Sequence, residues 1–285
     1  MRSFEFHAPE TIIRASELLA MYGDEAKLMS GGTALTTMMK QSLVQPKHLV
    51  SLHRLKECRE IKLEGEELKV GALATYRQIE MSDLVKTHAP LLTSTYSQVA
   101  TVRIRNAATI GGGLAHADPA QDPQPALLAI GAQVRLVSSA GERLIPLEDF
   151  LVDYYETDLR PDELIAEVIV STKPRFSKGV YLKYLPRTQD DYATVSVAAL
   201  GTLKDGLVQD VRVALGSIGP IPIRAKVVED SLVGLPITDE LLEEASNLVA
   251  DMVDPLDDAR GSAEYKRAMA VVFTKRALRK VFGND

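Results

Sequence analysis

Cysteine is nearly missing: Cys58 is the single one in 285 residues. That excludes an intramolecular disulfide, an iron–sulfur cluster held by four cysteines of this chain and a cysteine-rich zinc site. Histidine is also sparse. His7, His48, His53, His88 and His116 never fall three or four apart, so no helix face pairs two of them, and no metal ligand set is expected. Basic residues do not dominate, since 33 Lys plus Arg against 39 Asp plus Glu leave a net charge of -6, the wrong sign for binding phosphate backbones. Nucleic acid is therefore not an expected partner. No apolar run approaches the roughly eighteen residues of a membrane span, and Met1–His7 lacks the apolar core of a signal peptide. The expectation is a soluble, cytoplasmic chain.

What is present fits an ordinary globular protein: 46% hydrophobic and 25% charged residues, with 18 Gly and 14 Pro. The length suits more than one hydrophobic core. Residues 1–55 read as a compact α/β unit. A helix opens at Pro9-Glu10 with Ile12, Ile13, Leu18 and Leu19 on one stripe and ends at Gly23; a strand over 26–29, a glycine turn, a helix over 33–42 and a strand over 48–52 follow. Residues 56–174 carry shorter periods: hairpins around Gly65 and around 139–142, helices over 76–81, 91–99 and 124–130, and a strand over 164–170. Residues 175–285 change texture, with strands over 179–185, 194–203 and 207–215 and then helices over 225–233, 239–252 and 263–282. Asp205-Gly206 marks a tight hairpin turn. Strands first and helices later is the order of a separate α+β domain.

Two glycine segments carry the candidate chemistry. Ser30-Gly31-Gly32-Thr33 lies where a strand hands over to a helix, so backbone N–H groups can converge on an anion such as a diphosphate. It also reads as a plain αβ turn. No Gly-Lys-Ser/Thr follows it, and G-x-G-x-x-G is absent, so backbone amides rather than lysine would hold a phosphate. The second segment, Thr109 to Pro123, holds Gly111-Gly112-Gly113 and then Pro119 and Pro123, and is expected to be irregular, with a helix resuming only at Gln124. Its glycines would admit a ligand close to the backbone, Thr109 would donate a hydroxyl, and Asp118 and Asp122 would accept from ribose or ribityl hydroxyls. The alternative is an ordinary loop. Leu215-Gly216-Ser217-Ile218-Gly219 is not a nucleophile elbow, because Leu215 replaces the first glycine and no histidine follows.

At these segments the sequence resembles the FAD-binding medium subunit of the molybdenum hydroxylase (xanthine dehydrogenase) family, which includes aerobic carbon monoxide dehydrogenase. The likeness spans Met29 to Leu35, Arg105-Asn106-Ala107-Ala108-Thr109-Ile110-Gly111-Gly112, Ala117-Asp118-Pro119-Ala120-Gln121-Asp122, then Lys183 and Tyr192, and Arg260-Gly261-Ser262-Ala263-Glu264-Tyr265-Lys266-Arg267. It implies an α+β protein with a two-subdomain FAD-binding region of the p-cresol methylhydroxylase/vanillyl-alcohol-oxidase-like (PCMH) type, the cofactor lying between the subdomains, followed by a C-terminal α+β domain. Leu28, Met29, Ser30, Gly31, Gly32, Thr33, Ala34 and Leu35 would wrap the diphosphate. Thr109, Ile110, Gly111, Gly112 and Gly113 would pack against the rest of FAD, Asp122 would hydrogen-bond it, and Val99, Ala100, Ala115 and Ile165 would line its pocket. Lys183 would place a cation near the flavin ring and Tyr192 would cover a ring face. Two positions depart from the family pattern: Gly113 stands where relatives carry Asn or a small polar residue, and Thr33 where carbon monoxide dehydrogenases carry His.

The implied function is electron relay in a dimer of heterotrimers. A large subunit with the molybdenum cofactor would oxidise the substrate, a small subunit with [2Fe-2S] clusters would carry electrons, and this chain would pass them to an external acceptor without a substrate-oxidising residue of its own. A self-sufficient FAD-dependent oxidase or reductase of the same fold, and a non-catalytic scaffold, are the alternatives.

Overall fold

In a computed structural model the structure describes residues 2–173, 175–186, 188 and 190–283. The chain packs as two compact units, each built from three segments. The first comprises Met1–Val85, Thr101–Ala117 and Ala132–Ser171, and the second Lys86–Ala100, Asp118–Gly131 and Thr172–Asp285.

The first unit holds three sheets. Strands β1 (Glu5–His7), β2 (Ala26–Met29) and β3 (His48–Ser51) form a parallel sheet in the order β1-β3-β2. Helix Ile12–Tyr22 covers it, started by the Thr11 hydroxyl accepting from the Arg14 N–H and ended at Gly23. Its buried face is Ala15, Ser16, Leu18 and Leu19, which join Ala26, Val50 and Leu52 in one core. Ile13, expected on that face, is 42% exposed, because the register that buries Leu18 and Leu19 turns it outward.

Strands β4 (Ile61–Glu64), β5 (Glu67–Gly71), β6 (Gln133–Ser138) and β7 (Gly141–Pro146) flank a central strand in an antiparallel sheet. Two short strands, β8 (Leu151–Asp153) and β9 (Glu156–Thr157), pair separately, and β10 (Leu164–Ser171) is the centre in the order β4-β5-β10-β6-β7. Seven of the eight residues of β10 are buried, as a central strand covered on both faces requires. Its one charged residue, Glu167, accepts from Arg135 Nε at 2.9 Å. The turn before β7 is tighter than the sequence suggests, since pairing resumes at Ser138 and Gly141.

Thr109 to Pro123 corrects the sequence reading. Ile110–His116 is an α-helix containing all three glycines, closed at Ala117 in the left-handed conformation (φ 49°). Three glycines cost a helix roughly 3 kcal/mol relative to alanine. The Thr109 cap, worth about 1 kcal/mol, offsets part of this. The decisive reason is space: a Cβ on Gly111 would lie 2.6 Å from Ala72 Cβ, and one on Gly112 would lie 2.4 Å from Ser30 Oγ. Neither glycine has positive φ. Both serve close approach rather than a turn.

The second unit is an antiparallel sheet of β11 (Lys178–Tyr184), β12 (Val195–Lys204), β13 (Leu207–Gly216) and β14 (Ile223–Arg224), in that order. Asp205 (φ 54°) and Gly206 (φ 80°) turn β12 into β13, both left-handed as a two-residue hairpin with right-handed strand twist demands. Helices Lys226–Leu232, Asp239–Asn247 and Ala263–Phe282 supply one core with the sheet, in which Val195, Val197, Val213 and Leu215 meet Val228, Leu242, Phe273 and Leu278. Helix Pro123–Ile130 belongs to this unit too. The expected helix over 239–252 is α-helical only to Asn247 and tightens to a 3₁₀ turn over Leu248–Asp251.

Candidate functional site

The first glycine segment follows β2, whose last residue Met29 pairs with Ser51. Residues 30–35 are half-buried. Gly32 takes φ +70°, and its carbonyl accepts from the Thr36 N–H at 3.0 Å and the Thr36 hydroxyl at 2.6 Å, which fixes the turn into helix Leu35–Lys40. The N–H groups of Gly31, Gly32, Thr33 and Ala34 donate to no protein acceptor among the described residues. Partly buried donors of this kind call for an acceptor from outside the chain or for water.

The second glycine segment presses against the first and has the opposite hydrogen-bond economy. The N–H groups of its glycine run are satisfied within the chain: Ile110 donates to Ala74 O (3.1 Å), Gly111 to Ala72 O (2.9 Å), Gly112 to Thr109 Oγ1 (3.2 Å) and Gly113 to Thr109 O (2.9 Å). Thr109 Oγ1 in turn donates to Ser30 Oγ at 3.0 Å. A Cβ on Gly31 would lie 1.9 Å from the Ala107 carbonyl oxygen. Residues 107–112 therefore form the wall that holds residues 30–34 in place, and of the two glycine runs the first offers the free amides.

A cleft of about 200 Å³ opens at this junction, lined by Ser30, Gly31, Ala107 and Thr109 from the glycine segments and by His53, Arg59, Leu73, Thr75 and Asn106. Reading the sequence missed the second group. Arg59 donates from Nη2 to the His53 carbonyl at 2.9 Å, and His53 Nδ1 contacts Ser51 Oγ at 3.0 Å. A guanidinium beside free amides makes the cleft suited to an anion. No motif signals this, because Arg59 and His53 lie in the irregular chain after β3.

In the second unit, Asp122 and Lys183 are brought together, 61 residues apart in sequence. Lys183 Nζ donates to Asp122 Oδ2 at 2.8 Å and to the Gln98 carbonyl at 3.1 Å, and Tyr181 OH donates to Asp122 Oδ1 at 2.9 Å. The Lys183 and Asp122 side chains are 1% and 4% exposed. Tyr181 and Lys183 alternate along β11, so their side chains share a face. Burial pushes the Asp122 carboxyl above its usual range against the opposing pull of Lys183, and burial, then the Asp122 charge, hold the Tyr181 phenol well above its usual value. Both Asp122 oxygens and the Lys183 ammonium thus have partners within the chain. Asp118 Oδ1 caps its own turn by accepting from the Ala120 N–H.

Of the other expected residues, Ala115 and Ile165 belong to the first unit and Val99, Ala100 and Tyr192 to the second. Ala115 is exposed on helix Ile110–His116, and Ile165 is buried in β10 at its bulge. Val99 is buried, Ala100 is left-handed (φ 39°), and Tyr192 is exposed.

Comparison with known proteins decides the assignment. Residues 2–172 match the family of the FAD binding domain in molybdopterin dehydrogenase, and residues 180–281 match the CO dehydrogenase flavoprotein C-terminal domain. The chain belongs to this flavoprotein family. It is 34% identical over 277 residues to the carbon monoxide dehydrogenase medium chain of Hydrogenophaga pseudoflava, covering 96% of each chain. The solved structure of that enzyme matches with a TM-score of 0.96 over 99% of this chain and 98% of the other. The glyceraldehyde dehydrogenase medium chain of Sulfolobus acidocaldarius is 32% identical, over 90% of this chain and 91% of its own. Quinoline 2-oxidoreductase from Pseudomonas putida 86 matches with a TM-score of 0.94 at 30% identity, over 99% and 97% of the two chains. The α+β architecture is that of a molybdenum hydroxylase flavoprotein, an FAD-binding region followed by a C-terminal flavoprotein domain. FAD is its cofactor, and it is an oxidoreductase subunit. Among the described residues no helix is long and apolar enough to cross a membrane.

Proposed function

We propose that this chain is the electron-relay subunit of a multisubunit molybdenum hydroxylase. In this reading a large subunit with the molybdenum cofactor oxidises the substrate, a small subunit carries electrons on [2Fe-2S] clusters, and this chain delivers them to an external acceptor, within a cytoplasmic dimer of heterotrimers. The observation that carries it is the run of four partly buried N–H groups, Gly31 to Ala34, without protein acceptors beside a cleft that also holds Arg59. That donor set fits a diphosphate, and the wall behind it leaves no room for a Cβ at Gly31. When bound, FAD supplies the ability to take electrons one at a time and give them up in pairs.

The residues of the chain have separable tasks in this proposal. Gly31, Gly32, Thr33 and Ala34 donate to phosphate oxygens, with Leu28, Met29, Ser30 and Leu35 completing the segment. Thr109 and the helix it caps position that segment through Ser30. Lys183 and Asp122 act as a neutralised pair, so the charge Lys183 offers is tempered by its carboxylate partner. Cofactor-side roles for Val99, Ala100, Ala115, Ile165 and Tyr192, and a division of the chain near residues 55 and 174, are parts of the same proposal. With one cysteine the chain cannot hold a four-cysteine cluster, so the iron–sulfur centres sit on another polypeptide. The relatives named for carbon monoxide, glyceraldehyde and quinoline oxidation share this subunit's fold, which supports a substrate chosen elsewhere in the complex.

Absorbance of the purified chain, alone and with its partners, is the test. A flavin spectrum after FAD reconstitution is expected, bleached by substrate only in the assembled complex. A chain that takes up no flavin refutes the reading, and one that turns over substrate alone replaces it with a self-sufficient oxidase or reductase.

A further inference from the structure

A cluster of potential ligands lies outside the cofactor cleft, on the N-terminal parallel sheet. Strand register assembles it: Glu5 is the direct partner of His48 across β1 and β3, and His7 is two residues beyond Glu5, so all three side chains leave one face of the sheet. His7 Nε2 lies 3.2 Å from His48 Nδ1, and Glu5 Oε2 lies 3.3 Å from His48 Nδ1 and 3.8 Å from His7 Nε2. The Tyr22 ring stacks on His48 with centroids 3.6 Å apart and planes 12° apart, and also flanks His7 at 5.3 Å, which fixes both imidazole planes.

We propose that Glu5, His7 and His48 bind a divalent first-row transition-metal ion of the zinc class. Metal–nitrogen and metal–oxygen bonds of about 2.0–2.2 Å at tetrahedral angles place neighbouring donors roughly 3.3–3.6 Å apart. The three donor separations approximate one triangular face of such a tetrahedron, with the Glu5 side leaving a fourth position to water, since that side chain is 70% exposed. A hydrogen bond between the two histidines uses one proton and satisfies one of the three contacts. The Glu5 carboxylate then still faces both ring nitrogens, whereas one cation satisfies all three contacts. Two imidazoles and a carboxylate select zinc, nickel, cobalt or copper over calcium or magnesium, which take oxygen ligands. The ion would clamp β1 to β3. The far end of β3, Ser51, pairs with Met29, the residue before the glycine turn, so the clamp supports the sheet from which that turn springs. The proposal stands independently of the electron-relay reading.

Calorimetric titration of the tag-free, chelator-stripped full chain tests it, with Zn²⁺ as probe and Mg²⁺ as control. One Zn²⁺ per chain is expected, with no Mg²⁺ heat. His7→Gln and His48→Gln should weaken binding by more than the roughly 10–100-fold that loss of an outer-shell partner alone costs. His88→Gln should leave it unchanged. Absence of Zn²⁺ binding at micromolar metal, or wild-type affinity in both histidine variants, overturns the proposal. If those variants fold poorly, zinc X-ray absorption of the loaded wild-type chain decides: two imidazole ligands support the site, and one or none overturns it.

Discussion

Gly31→Ala probes the contact on which the proposed cofactor cradle depends. The added Cβ would sit 1.9 Å from the Ala107 carbonyl oxygen, 2.7 Å from its carbon and 3.1 Å from Ala108 Cα. Ordinary contact begins near 3.4 Å, so one backbone segment must move by about 1.5 Å. Neither is free to do so. Ala107 and Ala108 both donate to the Ile104 carbonyl, Tyr76 donates to Ala108 O at 2.9 Å, and Ser30 is held by Thr109. Overpacking costs about 1–3 kcal/mol, and a clash of backbone on backbone belongs at the upper end. At roughly 2–4 °C per kcal/mol for a domain of 150–250 residues, about 3 kcal/mol lowers Tm by about 6–12 °C. The same displacement misaligns the amides of residues 31–34. Losing two charge-assisted hydrogen bonds, at about 1.5 kcal/mol each, weakens FAD binding by roughly 100-fold. Gly23→Ala is the control: nothing lies within 4 Å of the added Cβ, and at φ 51°, ψ -131°, a backbone region that side chains avoid, its cost is backbone strain of about 1–3 kcal/mol placed away from the cradle. Differential scanning fluorimetry gives Tm and flavin fluorescence quenching gives Kd. Gly31→Ala with wild-type FAD affinity, or an equal affinity loss in Gly23→Ala, refutes the reasoning.

Three further outcomes follow from buried groups. Lys183→Met and Asp122→Asn should each cost about 3–5 kcal/mol in urea unfolding by stranding the partner, while the double variant costs less than their sum because no charge remains unpaired. Additive losses would show that the pair is not coupled. Arg143 grips Glu163 with Nε at 2.7 Å and Nη2 at 2.8 Å, holding that carboxyl below the usual glutamate range. Its stabilisation is present above the unfolded-state pKa of about 4.3 and is lost as pH falls through the lower folded value, so Glu163→Gln should flatten the acid limb of Tm against pH. An unchanged limb would remove Glu163 from the account. Burial, then Glu57, push the Cys58 thiol up to about 11, so iodoacetamide should label it at pH 8 only after unfolding. Rapid labelling of the native chain would contradict its burial.

Local pattern made the regular elements legible. The hairpin at Asp205-Gly206, the helix over Tyr76–Met81 and the terminal helix Ala263–Phe282 depend on capping, turn chemistry and periodicity within a few residues. The glycine triplet was misread because propensity opposes helix there, and only the proximity of Ala72 and Ser30 explains why side chains are absent. Site residues followed the same divide. Ser30–Thr33 stands out by composition as a candidate segment. The contribution of Arg59 to the cleft and of the Gln98 carbonyl to Lys183 leaves no trace in residue type. The His7–His48 pair has no helical spacing to mark it, because its geometry comes from strand register, 41 residues apart.

If residues 31–34 hold the cofactor as proposed, these separations tie cofactor loading to folding. Free amides at residues 31–34 are worth little as a site unless residues 107–112, about 79 positions later, are already in place behind them. The unfolded chain therefore has no cradle, and FAD binds the folded state alone. Such a ligand stabilises by RT ln(1 + [L]/Kd), about 2.7 kcal/mol at a hundredfold excess over Kd. The stabilisation shrinks in any variant that loosens the wall, even one that never touches the ligand. Gly112→Ala, whose Cβ would strike Ser30 Oγ, should thus lose FAD-induced stabilisation although its own N–H is satisfied by Thr109. In the proposed site the second glycine run would thus enter cofactor binding as the support of the first rather than as a second set of donors.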